Sequence, residues 1–258
     1  MLLAIDVGNT HTVYGLWDGG SWLATWRRST SPEETEDQLA AWLHGMFALS
    51  GLPWSIEGAI CGSVVPAMND ALARLCDKWF RVPLRFLERG DQVGMAVLYN
   101  PSNAVGADRI ANALGALARF EPPITVVDFG TATTFDAIDR DGAYAGGAIL
   151  PGLRIGSQAL FDRAAKLPQV DFVAPPTAIG KNTVHALQSG IVLGYAGAID
   201  ALARRIQGEL GGGIVIATGG LGATFLGLCE TLERYEATLT LEGLIIASER
   251  LSTSSRLV

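Results

Sequence analysis

The groups best suited to chemistry in this chain are aspartates set beside glycine and small polar side chains. In Asp6-Val7-Gly8-Asn9-Thr10, the apolar run Leu2-Leu3-Ala4-Ile5 delivers a carboxylate to a glycine followed by an amide and a hydroxyl. The pattern predicts a buried strand that ends in a phosphate-handling turn. Gly8 lets backbone N–H groups approach an anion with no Cβ in the way, while Asn9 and Thr10 add side-chain donors. Asp6 is like-charged with a polyphosphate, so beside one its natural role is to hold the accompanying Mg²⁺. A tight hairpin, with Asp6 and Asn9 bonded to nearby backbone, is the other use these residues could serve.

The plan recurs. Ile124-Thr125-Val126-Val127 leads to Asp128-Phe129-Gly130-Thr131-Ala132-Thr133-Thr134, again an apolar strand, an Asp, one residue, a Gly and then hydroxyls. Thr131, Thr133 and Thr134 are small donors suited to phosphate oxygens. Gly219-Gly220-Leu221-Gly222, after the compact apolar run 214–218, could pass close to an adenine or its ribose, or could be a plain tight turn. The chain has no Walker-type Gly-x-x-x-x-Gly-Lys-Ser/Thr sequence. Phosphoryl transfer also needs a base beside the acceptor hydroxyl. Asp108, in Gly106-Ala107-Asp108-Arg109 at the start of an expected helix, is the candidate, although an Asp there also complements a helix dipole. Arg109 would suit a carboxylate on the acceptor. Thr183 precedes a long helix, where a capping role competes with a ligand role.

The elements that must carry these groups follow from periodicity. Three antiparallel strands open the chain, turning at Asp18-Gly19-Gly20. Ser31-Pro32-Glu33-Glu34 resembles a capping box for the helix bearing Leu39, Trp42, Leu43, Met46 and Phe47, which Gly51 stops. A strand at 57–62, a helix over 66–80, a strand at 84–87 and a helix over 106–120 follow. The second half restarts with strands ending at Asp128, over 133–138 and over 144–150. Helices are expected over 153–166 and 182–210, then a strand at 214–218, a further helix, a closing helix over 241–251 and a frayed tail at 252–258. The shared strand-strand-strand-helix opening predicts an internal duplication, with domains at 1–121 and 122–258.

Composition narrows the class. Hydrophobic residues make up 49% of the 258 and charged residues only 17%, which describes a well-packed globular chain. A formal net charge of -7, without a basic stripe, disfavours nucleic acid and anionic membrane as partners. The three cysteines, Cys61, Cys76 and Cys229, lack metal-ligand spacing and read as buried free thiols in a reducing cytoplasm. The apolar run 191–203 contains Asp200 and reads as too short to span a bilayer.

The motifs at 6–10, 106–109 and 128–134, with Gly146-Gly147, Pro151-Gly152 and Ala217-Thr218-Gly219-Gly220-Leu221, resemble in this order the bacterial type III pantothenate kinases. That family belongs to the superfamily of acetate kinase, the sugar kinases, actin and the chaperone ATPases. The resemblance implies an α/β fold of two ribonuclease-H-like domains, an actin-like ATPase duplication flanking a nucleotide cleft. It also implies ATP-dependent phosphorylation of pantothenate to 4′-phosphopantothenate, the first step of coenzyme A synthesis. By matching position, Asp6, Val7, Gly8, Asn9, Thr10, His11, Thr12 and Val13 would form the first phosphate site, and Thr131 would contact ATP. Asp108 would accept the proton, with Tyr99, Gly106, Ala107, Arg109 and Thr183 around pantothenate. Asp128 would hold the K⁺ or NH₄⁺ required besides Mg²⁺, and the protein would be a cytoplasmic homodimer. The rivals are another small-molecule kinase or phosphohydrolase on this fold, and a non-catalytic nucleotide-sensing regulator.

Overall fold

In the first sheet Leu2–Val7 (β1) is the middle strand, and its side chains from Leu3 to Ile5 are fully buried. A computed structural model describes residues 1–164 and 166–254. β1 pairs antiparallel with His11–Trp17 (β2), which pairs antiparallel with Trp22–Ser29 (β3). On its other side β1 runs parallel to Gly58–Ser63 (β4), and β4 parallel to Leu84–Leu87 (β5). The crossovers between parallel strands are helical, as such connections require. They are Glu36–Leu49 (α1) and a continuous helical stretch from Pro66 to Phe80 whose α-helical part is Asn69–Leu75 (α2).

The second sheet repeats this order. Ile124–Phe129 (β6), Ala132–Ile138 (β7) and Tyr144–Pro151 (β8) form an antiparallel meander. Ile214–Gly219 (β9) then pairs parallel with β6, and Arg234–Tyr235 (β10) parallel with β9. The two sheets, β3-β2-β1-β4-β5 and β8-β7-β6-β9-β10, share one topology. Asp6 and Asp128 both sit at the next-to-last position of the middle strand. This is the ribonuclease-H-like arrangement twice over, as the duplicated motif predicts.

The chain divides into two compact units, residues 1–119 joined by 238 onward, and residues 120–237. The division expected at 1–121 and 122–258 therefore needs correcting at its far end. The closing helix, Leu239–Ser254 (α8), packs on Ala107–Leu117 (α3) and on β1, β4 and β5. Its buried Leu239, Leu241, Leu244, Ile245 and Ala247 complete the first unit's core. α8 is longer than expected. Residues 252–254 of the expected tail are helical, and 255–258 lie outside the described residues.

Other expectations shift locally. The first helix begins after Thr35, whose hydroxyl accepts from Gln38 N while the Gln38 side chain accepts from Thr35 N; Ser31 is not the cap. The reason is that Glu34, expected inside that helix, is drawn into an ion pair with Arg28 of β3. The helix expected over 153–166 is Leu153–Arg163 (α4), and Ala165 within the expected span lies outside the described residues. The long helix runs Thr183–Leu210 and comprises Thr183–Gln188 (α5), a π-helical turn Ser189–Leu193 and Gly194–Leu210 (α6). It is 28 residues long and holds an 18-residue window of mean hydropathy 1.3, enough by length and composition alone to cross a membrane, a test that a core helix also passes. Its Ala196, Ile199 and Ala203 pack into the core of the second unit. Asp200 in the same helix accepts from Glu230 N, Thr231 N and the Thr231 hydroxyl, and these bonds hold its carboxyl below the usual aspartate range despite burial. Gly222–Leu226 (α7) follows β9. All three cysteines are free and buried, and burial pushes the Cys76 thiol up to about 12.

α3 is buried on nearly all sides because the sheet lies on one face and α8 on another. The two helices meet at glycines: a Cβ on Gly243 would overlap the carbonyl oxygen of Ala111, and one on Gly115 the carbonyl oxygen of Leu239. Gly243→Ala must push α8 off α3 and should cost about 1–3 kcal/mol. The loss should appear as a lower urea midpoint at unchanged slope, and an unmoved midpoint would show that the helices part without cost.

Candidate active site

β1 ends at Asp6-Val7 because the strand leaves the sheet at Gly8, where the chain turns back into β2. Gly8 N donates to His11 O at 3.0 Å, and a Cβ on Gly8 would lie only 3.1 Å from that same oxygen, so a glycine suits the close return. Asn9, Thr10 and His11 are exposed at the turn, Asp6 is partly buried beside it, and Val7 and Thr12 face inward. The carbonyls of the turn are held from β3. Thr30 donates its hydroxyl to Gly8 O at 2.6 Å and its N–H to Thr10 O at 3.0 Å, and its oxygen lies 3.0 Å from the buried Thr12 hydroxyl. No motif in the sequence singles out Thr30; its one available signal is its place just past the end of β3.

Asp108 is brought to the same end of the first unit. In the sheet Asp6 pairs with Gly62 of β4. A Cβ on Gly62 would sit 3.6 Å from that of Ala107, in the first turn of α3. Val64 N donates to Val7 O at 3.0 Å, and the side chain of Val64 packs against Gly106. The strand that carries Asp6 and the helix start that carries Asp108 are therefore neighbours through β4.

The Asp108 carboxylate folds back over Gly106, where a Cβ would come within 2.5 Å of its Oδ1, and accepts from Arg109 N at 2.8 Å. Burial raises its pKa above the usual aspartate value, against the lowering effect of that N–H bond and of the Arg109 guanidinium. A carboxylate deprived of water in this way is a better proton acceptor than a solvated one. Arg109 itself is 8% exposed. Tyr99 is exposed in the loop that precedes α3.

In the second unit three distant segments meet around Asp128. Gly219, at φ +81°, brings its backbone past that carboxylate, since a Cβ there would overlap Asp128 Oδ1. Gly220 N donates to Phe129 O at 3.1 Å. Gly152 backs the next turn, where a Cβ would overlap Thr131 O, and Thr131 is exposed. Thr133 departs from expectation. It is 1% exposed, and its hydroxyl accepts from Tyr195 at 2.7 Å, so it braces β7 against α6 and does not face outward. Alternation along β7 turns Thr133 inward once Ala132 and Thr134 face the other way. Thr183 opens α5, exposed, with Asn182 as the helix cap accepting from His185 N at 2.8 Å. Among the described residues no group of three or more His, Cys, Asp or Glu side chains could hold a metal ion.

The comparisons with known proteins name a family. The family model for type III pantothenate kinase matches residues 2–205. A type III pantothenate kinase of Desulfatibacillum aliphaticivorans is 47% identical over 257 residues, covering 98% of this chain and 100% of the relative. That of Myxococcus xanthus is 44% identical over 248 residues, covering 95% and 97%. In fold, the chain is similar to a candidate Baf family transcriptional activator from Campylobacter jejuni, with a TM-score of 0.58 at 18% identity over 99% of this chain and 100% of that one. With full-length relatives at this identity and the family model spanning most of its length, the chain belongs to the type III pantothenate kinase family.

Proposed function

We propose that this protein transfers the γ-phosphoryl group of ATP to the primary hydroxyl of pantothenate, giving 4′-phosphopantothenate in the first step of coenzyme A synthesis. The observation that carries this reading is the adjacency, through β4, of the Asp6 strand end and the partly buried Asp108 carboxylate. Phosphoryl transfer needs little else from the protein than placed phosphates and a placed base.

In the proposed step, Asp108 accepts the hydroxyl proton as the alcohol oxygen bonds to the γ-phosphorus. The bond from that phosphorus to the β,γ-bridging oxygen breaks, and ADP leaves. Asp6, Gly8, Asn9, Thr10, His11 and Val13 line the phosphates, Val7 and Thr12, whose side chains are buried, join them only through their backbone, and Thr131 contacts ATP. Tyr99, Gly106, Ala107, Arg109 and Thr183 surround pantothenate. Asp6 fits Mg²⁺, which binds through one or two carboxylates plus substrate phosphates and so needs no protein cage. Asp128, with the Gly219 backbone against it, is the proposed holder of K⁺ or NH₄⁺. Bound there, the cations would neutralise charge on the phosphates, while the protein's own groups orient the reactants. We place the enzyme in the cytoplasm as a homodimer.

Asp108→Asn is expected to cut kcat by about 10²–10⁴-fold while ATP still binds, measured by steady-state kinetics and nucleotide titration. A variant turning over near the wild-type rate would remove Asp108 from the base role. Because the base must be ionised and its pKa is raised, kcat/KM should fall as pH drops through a value above the ordinary 3.8, earlier than for a solvated aspartate. A flat profile down to that value would contradict this. Coupled ADP release should require both pantothenate and K⁺ or NH₄⁺, from a species of twice 27.2 kDa by light scattering. Release without pantothenate would instead make the protein a phosphohydrolase, and no release with any acceptor would favour the nucleotide-sensing regulator.

A further inference from the structure

We infer that Thr30 is a positioning residue for ATP, holding the backbone of the phosphate turn in its binding conformation from a separate strand. The inference rests on the reading of residues 6–13 as the phosphate site.

The argument starts from the peptide unit. In a trans peptide C=O and N–H point in opposite directions, so anchoring one aims the other. Thr30 donates its hydroxyl to Gly8 O at 2.6 Å, which fixes the Gly8–Asn9 peptide and aims the Asn9 N–H away from Thr30. Its own N–H, bonded to Thr10 O at 3.0 Å, does the same for the Thr10–His11 peptide and the His11 N–H. Gly8 is the most freely rotating residue of the turn, so without such an anchor its peptide is the one most able to flip. A turn that must present N–H groups to phosphate loses affinity when it must first be ordered.

The hydroxyl of Thr30 has one proton. Since that proton goes to Gly8 O, the Thr12 hydroxyl, 3.0 Å away and fully buried, donates to Thr30 Oγ1. The result is a relay from Thr12 through Thr30 to Gly8, with each bond strengthening the next. Thr30 is itself clamped. The ion pair between Arg28 and Glu34 spans it on both sides, and Arg28 lies over the Trp42 ring at 4.8 Å from its centroid. The segment carrying Thr30 is thus tied to β3 and to α1, and the turn is tied to that segment.

The test is kinetic. Thr30→Val keeps the shape and removes the hydroxyl. KM for ATP should rise about fivefold to tenfold, the effect of one lost hydrogen bond on affinity. KM for pantothenate should stay within about twofold, and Thr30→Ser, which restores the donor, should return KM for ATP toward wild type. The double variant T12V/T30V, in which neither hydroxyl is left without its partner, should show the same rise, and it carries the comparison if T30V does not fold. An unchanged KM for ATP in T30V or T12V/T30V, or T30S as impaired as T30V, overturns the role of Thr30. Asp6→Asn separates this from the underlying reading. If D6N is impaired with ATP and T30V is not, the positioning role alone falls, and if D6N uses ATP as wild type does, the phosphate-turn reading falls and takes the Thr30 role with it.

Discussion

Each unit is governed by a central strand that has neighbours on both edges and packed layers on both faces. Leu3, Ala4 and Ile5 of β1, and Ile124, Val126 and Val127 of β6, have no exposure. Such a strand must be apolar along its length, because an ionised side chain in its interior would need a buried partner. Only where it leaves the sheet can it hold a carboxylate in contact with solvent or ligand. Asp6 and Asp128 occupy that place in β1 and β6, two residues before the glycine at which each strand turns. The chemistry of both units is confined to one end of a sheet for this reason, and the apolar run before each aspartate is what makes the end usable.

The other groups in the first unit are placed by close backbone approach. Gly62 lets the start of α3 come against the end of β4, and Gly106 makes room for the Asp108 carboxylate to fold back and lose water. Gly115 and Gly243 let α8 press on α3 from the other side. The raised pKa of Asp108 is thus a product of packing, in which burial outweighs the N–H and guanidinium that would lower it. The second unit uses the same device, with Gly219 and Gly152 bringing distant backbone to Asp128 and Thr131.

Much of this is legible in the sequence. Strand, turn, aspartate and glycine are neighbours in sequence, and their pattern depends on contacts within a few residues, so β1, β6, α3 and the repeated strand-strand-strand-helix opening can be read directly. The start of the first helix is not legible in this way, because Ser31-Pro32-Glu33-Glu34 satisfies the local capping rule although Thr35 is the cap. Arg28, six residues before Glu34, takes that acid first. Thr133 looks like a phosphate donor from its company of hydroxyls, yet its hydroxyl is taken by Tyr195, which lies 62 residues away.

The sequence by itself determined which residue types end the two central strands, that the plan occurs twice, and that an aspartate opens α3. It determined these because each is a local pattern of polarity and backbone freedom. Tertiary structure alone decided that α8 belongs with the first unit, that Asp6 and Asp108 share one end of a sheet, and that Thr30 holds the turn at Gly8. Those outcomes rest on hydrogen bonds and packing between residues 18 or more positions apart, where no short pattern names the partner.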